Sequence, residues 1–152
     1  MPLAAGDRAP SFTLPDSATG VDVADPWRDG PVVLAFFKVT CPVCQMAAPK
    51  VAALAGGGAR VVAIGQDPPA KLADYAARYG QRVPTVSEAP PYPVSDAYRI
   101  TAVPTVVLVG PDGVVVDSVG AWEREGWNRL AAAAGGRPVS AAADGLPAFR
   151  PG

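Results

Sequence analysis

Cys41 and Cys44 are the residues of this sequence best suited to do chemistry, and they are its only cysteines. They stand in the segment Thr40-Cys41-Pro42-Val43-Cys44, a Cys-x-x-Cys motif. If the motif is helical, the two sulfurs lie about one turn apart, which allows a disulfide between them. The same spacing would let Cys44 resolve a mixed disulfide formed on Cys41, so the motif favours thiol–disulfide chemistry.

The residues on either side of the motif predict a strand followed by a helix. Residues 31–37 form an apolar run rich in valine and phenylalanine, which indicates a buried strand. After the motif, apolar residues recur at helical spacing: Val43, Met46, Ala47, Val51 and Leu54. Pro42 suits the first position of this helix. Cys41 is therefore predicted at the helix N-terminus, where unpaired N–H groups and the helix dipole favour the reactive thiolate.

Two other uses of a cysteine pair remain open but are less favoured. A structural zinc site needs about four nitrogen or sulfur ligands, whereas this chain offers two thiols and no histidine. Only a site shared between two chains would supply enough ligands, and we predict no metal. A structural disulfide across two residues would constrain the unfolded chain very little.

The composition is that of one globular domain with few charges. The chain has 152 residues, of which 49% are hydrophobic and 18% charged, and its net charge is −1. This charge gives no electrostatic basis for binding nucleic acid or an anionic membrane surface. No apolar run approaches membrane-spanning length. Residues 1–8 lack the basic start and apolar stretch of a secretory signal, so we expect a reducing, cytoplasmic location.

The rest of the chain predicts alternating strands and helices. An N-terminal hairpin is expected within residues 9–24, and a second buried strand at residues 60–65. A helix with Asp67 as its cap follows, with an apolar stripe of Leu72, Tyr75, Ala76 and Tyr79. The strand–helix–strand order makes the first two sheet strands parallel.

The second half of the chain predicts further strands and a last helix. A short strand at 83–86, one or two helical turns at 95–100, and a strand at 101–110 come first. The turn Pro111-Asp112-Gly113 returns the chain as an antiparallel strand at 114–119, and a helix is expected at 121–134. We assign residues 1–136 to the domain and 137–152 to an irregular tail, mobile or draped on the surface, with Leu146 and Phe149 as docking points.

These motifs together resemble one superfamily. Residues 36–49, with Pro49 placed five residues after Cys44, resemble the active-site segment of thioredoxin-fold proteins. Val103-Pro104-Thr105 resembles their cis-proline loop, and residues 6–14 are similar to the opening of TlpA-like and AhpC/TSA redoxins. The chain is identified as a member of the thioredoxin-like superfamily, in this redoxin branch. The resemblance implies a three-layer α/β fold, a central mixed sheet flanked by helices, with an N-terminal β-hairpin extension.

The resemblance also implies roles for the site residues. Cys41 would be the nucleophile that attacks a substrate disulfide, and Cys44 the resolving residue, with no cofactor beyond their redox-active disulfide. Pro104 would be cis and, with the Val103 backbone, would present an edge to a bound peptide. Thr40, Pro42 and Val43 complete the expected substrate-binding surface. The implied partners are protein or small-molecule disulfides or thiols and an upstream reductant.

The sequence departs from thioredoxin itself at the position of a buried acid, six residues before the first cysteine. This position is Ala35. Proton transfer is then either slower or assisted by another group such as Glu88 or Lys38. We interpret Glu88 as a solvated loop carboxylate and Lys38 as a solvated residue at a strand end.

Two further functions are weighed against a disulfide reductase. A thiol peroxidase is suggested because peroxiredoxins share the N-terminal signature. However, peroxiredoxins have threonine or serine three residues before the peroxidatic cysteine, where this chain has Lys38 before Cys41. The other alternative is a non-catalytic redox-sensing or metal-binding module, for which the absence of histidine removes a common copper ligand.

Overall fold

The computed structural model describes all 152 residues and contains nine strands and four α-helices. The strands are β1 (Thr13–Pro15), β2 (Asp22–Ala24), β3 (Val32–Phe37), β4 (Val61–Gly65), β5 (Thr85–Ser87), β6 (Thr105–Val109), β7 (Val115–Val119), β8 (Trp122–Glu123) and β9 (Phe149–Arg150). The helices are α1 (Pro42–Gly56), α2 (Pro69–Tyr79), α3 (Pro93–Ala97) and α4 (Arg124–Ala133). None of the four has the length and apolar character needed to cross a lipid bilayer.

Five strands form a mixed central sheet in the order β5-β4-β3-β6-β7. Strands β3, β4 and β5 run parallel to one another, as the predicted strand–helix–strand order requires. Strand β6 runs antiparallel to both β3 and β7, and the turn at residues 111–113 joins β6 to β7. Strand β3 occupies the middle, which is consistent with the burial of all six of its residues. The N-terminal hairpin forms a separate sheet of β1 and β2.

Alternate residues of β3 enter two different cores, one on each face of the sheet. Val33, Ala35 and Phe37 face the core that also contains apolar residues of α1, α2 and α4. The other three residues of β3 face a second core, formed with α3 and the N-terminal segment. Because both faces are covered, the sheet is the middle of three layers, the arrangement predicted from the sequence.

Helix α2 does not begin as predicted. Asp67 provides no cap for this helix, because the chain turns one residue later and Pro68 occupies the capping position. The Asp67 carboxylate instead accepts a hydrogen bond from the Val39 backbone N–H at 3.0 Å. The expected stripe is present in part: Leu72 and Tyr75 are buried, while the other two members are half-buried.

The last helix also differs from the prediction, because α4 begins at Arg124 and not at Ala121. The residues before it, Trp122 and Glu123, are held in β8 by pairing with β9 near the end of the chain. Trp122 and Trp127 are fully buried, with their rings edge-to-face and 4.9 Å between centroids. A pairing partner distant in sequence therefore shortens the helix.

Residues 137–152, predicted as an irregular tail, pack against the rest of the molecule. They contain a single 3₁₀ turn, Ala142–Asp144, as well as β9. Leu146 packs against the core on the α1 face, as expected of a docking residue. The prediction for Phe149 is wrong, since this side chain is 56% exposed.

Candidate active site

Cys41 caps the N-terminus of α1, directly after the loop that leaves β3. Its backbone is extended, with φ −84° and ψ 116°, and the helix proper begins at Pro42. The Cys41 Sγ atom accepts a hydrogen bond from the backbone N–H of Cys44 at 3.2 Å. A sulfur in this position is surrounded by N–H groups that have no partner within the helix, and these favour a negative charge on it.

Cys44 lies one turn further along α1 in a different environment. Its side chain is 2% exposed and belongs to the apolar core that contains Ala35 and Phe37. Burial raises the pKa of the Cys44 thiol far above its ordinary value, and the nearby Cys41 and Asp67 add to the rise. Cys41, by contrast, is half-buried. Both residues are free thiols in this structure, and only one of them is accessible.

The loop before β6 lies beside Cys41. The Cys41 thiol donates to the backbone carbonyl of Val103 at 3.4 Å, and the Val103–Pro104 peptide bond is cis. Thr105 holds this loop from within, because its buried hydroxyl donates to the Ala102 carbonyl at 2.8 Å. The backbone of Val103 is thus fixed next to the accessible sulfur.

Two side chains fix the loop between β3 and Cys41 through the backbone of Val39. Asp67 accepts from the Val39 N–H, as described above, and Gln45 donates from its amide to the Val39 carbonyl at 2.8 Å. Sequence reasoning did not identify either as a site residue. Gln45 could have been suspected from its place next to Cys44, but nothing in the sequence connects Asp67 with a residue 28 positions earlier.

The residues predicted to bind substrate divide into two groups. Thr40 and Pro42 are exposed on either side of Cys41, and Val103 is half-buried beside it. The structure brings these three together around the accessible sulfur. Val43 and Pro104 are buried, so their side chains support the site from inside and offer little surface to a partner.

A small apolar residue occupies the position at which thioredoxin has a buried acid. Ala35 is buried in the same core as Cys44, and Lys38 is exposed at the end of β3. The interpretation of Glu88 as a solvated carboxylate is wrong. Glu88 is 1% exposed and accepts hydrogen bonds from the backbone N–H groups of Val94 at 2.6 Å and Ser95 at 2.9 Å. Its carboxylate is used to cap α3.

Tyr75 is a polar residue in the Cys44 core to which the sequence analysis gave no role in the site. Its side chain is 2% exposed, and its hydroxyl has no hydrogen-bond partner. Burial raises the pKa of this phenol, and the neighbouring sulfurs of Cys44 and Cys41 raise it further. An uncharged hydroxyl therefore lies within electrostatic reach of both cysteines.

Shallow grooves flank Cys41 on two sides. One of about 290 Å³ is lined by Lys38, Tyr92, Ile100 and Val103, among others. The other, of about 600 Å³, runs past Thr40 toward α2 and Tyr79. Both grooves reach residues next to Cys41. The structure contains no group of three or more His, Cys, Asp or Glu side chains arranged to hold a metal ion.

The family model for the AhpC/TSA family matches residues 5–118, which include both cysteines and the Val103–Pro104 loop. No curated protein matches the chain significantly in sequence.

Solved structures of similar fold are disulfide-exchange proteins and a peroxidoxin. A thiol:disulfide interchange protein from Bacteroides sp. has a TM-score of 0.71 and 22% identity, covering 95% of this chain and 96% of its own. A secreted disulfide oxidoreductase from Mycobacterium tuberculosis has a TM-score of 0.66 and 20% identity, covering 80% and 95%. Peroxidoxin BcpB from the same organism has a TM-score of 0.64 and 25% identity, covering 77% and 85%. The thioredoxin-like fold predicted from the sequence is confirmed.

Proposed function

Because the chain belongs to the AhpC/TSA family, we propose that it is a thiol–disulfide oxidoreductase that reduces disulfides with Cys41 and Cys44. The difference between the two sulfurs is the observation that carries the proposal. Cys41 is accessible at a helix N-terminus and accepts a hydrogen bond from an N–H group. Cys44 is buried and protonated one turn away. This asymmetry suits one nucleophile and one resolving thiol.

In the first step the Cys41 thiolate attacks one sulfur of a substrate disulfide. The substrate S–S bond breaks as the Cys41–substrate bond forms, and the other substrate sulfur leaves as a thiolate that takes up a proton. The N–H of Cys44 stabilises negative charge on Cys41 before the attack. Cys44 stays protonated and does not compete, because its pKa is raised by burial.

In the second step Cys44 loses its proton and attacks the Cys41 sulfur of the mixed disulfide. The Cys41–Cys44 disulfide forms and the second substrate thiol is released, so the substrate gains two electrons that the protein loses. An upstream reductant must then return two electrons to the pair. No cofactor beyond the cysteine pair is needed for this cycle.

The partner class follows from the surface around Cys41. The Val103 backbone lies next to the nucleophile, and grooves extend on either side of it. A backbone edge of this kind accepts an extended peptide through main-chain hydrogen bonds, which are indifferent to sequence. We therefore propose extended protein segments with disulfides as substrates, with small disulfides as the simpler case.

The compartment stays a prediction. A Cys-x-x-Cys pair in a reducing compartment is typical of catalytic use, and we propose the cytoplasm on this basis. One similar structure belongs to a protein described as secreted, so the fold also serves outside the cell. The redox potential of the Cys41–Cys44 pair, measured against glutathione, would test the proposal. A value near that of cytosolic reductases supports it, and an oxidising value contradicts it.

A thiol peroxidase is the second candidate, favoured by the likeness to a peroxidoxin. In this reaction the Cys41 thiolate would attack one oxygen of a peroxide, so that the O–O bond breaks and the other oxygen leaves as water or an alcohol. The sulfenic acid formed on Cys41 would then be attacked by Cys44, giving the disulfide and a molecule of water. Lys38 stands where peroxiredoxins have threonine or serine, which argues against this activity. Consumption of hydrogen peroxide by the reduced protein measures it directly.

The test is reduction of an insulin-like substrate by dithiothreitol, followed in wild type, Cys41→Ala and Cys44→Ser. We expect the wild type to accelerate reduction and Cys41→Ala to lose the acceleration entirely. Cys44→Ser should accumulate a mixed disulfide on Cys41 that a reductant releases. The surface variant Asp22→Asn serves as the control and should match the wild type. Full activity in Cys41→Ala would overturn the proposal.

A further inference from the structure

The last residues of the chain run from the tail toward the active site. The indole N–H of Trp122 donates to the Pro147 carbonyl, and the backbone N–H of Arg124 donates to the Ala148 carbonyl, both at 2.8 Å. Strand β9 then pairs with β8. We call residues 147–152 the strap. Its first half is firmly held, because Trp122 is fully buried and fixes the start of the strap in place.

The second half of the strap reaches α1 close to the cysteines. The guanidinium of Arg150 lies 3.8 Å from the sulfur of Met46, measured from Nη1 to Sδ. Met46 is on α1, two residues after Cys44. Arg150 is the last residue of β9, so beyond it the strap has no strand pairing, and its residues are exposed. The second half of the strap, residues 150–152, is therefore held by few contacts.

Gly152 lies directly against the Val103 backbone. A Cβ atom built at residue 152 would overlap the Val103 carbonyl oxygen and approach the Val103 nitrogen to 3.2 Å. The same carbonyl oxygen accepts the hydrogen bond from the Cys41 thiol. Only a residue without a side chain can therefore approach this closely, and residue 152 lies beside the loop that contacts the nucleophile.

We propose that the strap occupies the surface on which an extended substrate peptide binds, so that a substrate must displace it to reach Cys41. This inference rests on the proposed function for the identity of the displacing partner, but the strap's position does not depend on it. A tethered segment competes at a high effective concentration even when its contacts are weak. Its loosely held second half can leave while Trp122 keeps the first half in place.

The strap also indicates what kind of peptide fits this surface. The position opposite Val103 has no room for a side chain, so the best partner has a glycine there in an extended segment. A basic residue two positions earlier would lie over Met46, as Arg150 does. Partners of this chemistry should compete with the strap better than acidic or bulky peptides.

The experiment compares Gly152→Ala with Gly56→Ala in the full-length protein. The first variant adds a methyl group that collides with Val103, while at Gly56 a methyl group meets no atom within 4 Å. The measured quantity is the rate at which iodoacetamide alkylates Cys41 in the reduced protein, located by mass spectrometry. We expect Gly152→Ala to react about three-fold faster or more, because a larger fraction of molecules has the strap open. Gly56→Ala should react like the wild type.

A second pair of variants is needed because the backbone at residue 152 could shift to fit the added methyl group without opening the strap. Arg150→Ala removes the contact with Met46 and should also accelerate alkylation, whereas Arg82→Ala, at an exposed arginine without a hydrogen bond, should not. Wild-type rates in both strap variants would overturn the proposal.

The insulin assay on the same variants separates the two proposals. If the wild type reduces insulin and the strap variants are both faster, both proposals are supported. If no variant reduces insulin while the strap variants are still alkylated faster, the strap stands and the oxidoreductase proposal fails. If the wild type reduces insulin and the strap variants equal it in both measurements, the strap proposal alone fails.

Discussion

At the scale of single residues, the two cysteines show how identical side chains acquire different chemistry. Cys41 is the N-cap of α1, where its sulfur accepts an N–H and the residue is half-buried. Cys44 follows three residues later and is turned into the core, where burial keeps its proton bound. The motif alone does not distinguish the two sulfurs. Their surroundings make Cys41 suited to be the nucleophile and Cys44 suited to be the resolving thiol.

Tyr75→Phe should not destabilise the protein. The Tyr75 hydroxyl is buried without a partner, and an unpaired buried polar group costs about 1–3 kcal/mol, so its removal should raise the free energy of unfolding by about 1 kcal/mol. Tyr98→Phe is the matched comparison, because the Tyr98 hydroxyl donates to the Pro10 carbonyl at 2.8 Å. That variant should lose about 1 kcal/mol. Urea unfolding measures both, and a loss of stability in Tyr75→Phe would show that its hydroxyl has a partner.

Glu88→Gln should destabilise the protein, although the side chain keeps its shape. The carboxylate accepts two backbone N–H bonds and a third from the Ser95 hydroxyl at 2.6 Å. Hydrogen bonds to a buried charge contribute about 1.5–3 kcal/mol each, and an amide can keep only part of this set, so we expect a loss of about 1–2 kcal/mol. Asp74→Asn, at an exposed position, should change little in the same unfolding measurement. Equal stabilities would rule out a capping role for Glu88.

At the scale of elements, α1 connects the active site with the tail. Cys41 is its N-cap and Cys44 lies in its first turn, and Lys50, further along it, forms an ion pair with Asp144 at 2.9 Å. Arg124, the first residue of α4, lies 3.4 Å from the other Asp144 oxygen. The tail is thus fastened to two helices through one carboxylate. The Leu146 N–H also donates to Asp144, at 2.9 Å, so this cluster holds the residue just before the strap.

Asp144→Asn should loosen the tail while leaving the sheet unchanged. Hydrogen bonds from Ser140, Lys50 and the Leu146 N–H hold the pKa of Asp144 well below its usual range. The attachment is therefore complete above the ordinary pKa of an aspartate and is lost only at lower pH. At pH 7 we expect faster amide hydrogen exchange at residues 140–150 in Asp144→Asn and unchanged exchange in β3. Asp22→Asn is the control, and unchanged exchange in the tail would contradict its anchoring by Asp144.

At the scale of the whole molecule, the two cores bury three groups that can ionise at alkaline pH. Cys44 and Tyr75 lie in the core on the α1 face, and Tyr98 lies in the other. Burial raises the pKa of all three. Each must stay protonated for the fold to keep its packing, so both faces of the sheet share one sensitivity to pH.

The reduced protein should lose stability as the pH rises. The folded-state pKa values of these three groups exceed those of the unfolded chain. Their contribution to the free energy of unfolding is therefore complete below about pH 8.5 and falls progressively above it. The unfolding free energy should fall by about 1.4 kcal/mol per pH unit from Cys44 alone, and by about 4 kcal/mol per unit above pH 10, where the tyrosines add to it. Urea unfolding under reducing conditions at pH 7.5, 9 and 10.5 measures the slope.

Cys44→Ala provides the control for this prediction. Without the buried thiol, the fall between about pH 8.5 and 10 should disappear, while the steeper fall from the tyrosines remains. A flat profile in the parent protein would show that these groups ionise in the folded state without cost.

The central sheet, the position of Cys41 and the family could all be predicted from the sequence. These follow from local patterns: an apolar run long enough for a buried strand, helical spacing after Pro42, and turn residues such as Asp112-Gly113. Each depends on the physical chemistry of neighbouring residues, which a sequence displays directly. The N-terminal hairpin was predictable for the same reason, since two alternating segments flank a turn.

The features that depend on residues far apart in the chain could be seen only in the folded structure. The sequence around Glu88 is typical of a solvated loop carboxylate, but in the structure it accepts a hydrogen bond from the N–H of Val94 in α3. The sequence around Asp67 is typical of a helix cap, but its carboxylate accepts from the distant Val39 N–H. The start of α4 depends on the pairing of β8 with β9. The direction of the strap depends on the same pairing and on the hydrogen bond from Trp122 to Pro147. Burial and hydrogen-bonding partners arise from long-range packing, and local periodicity carries no record of which distant segment will supply them.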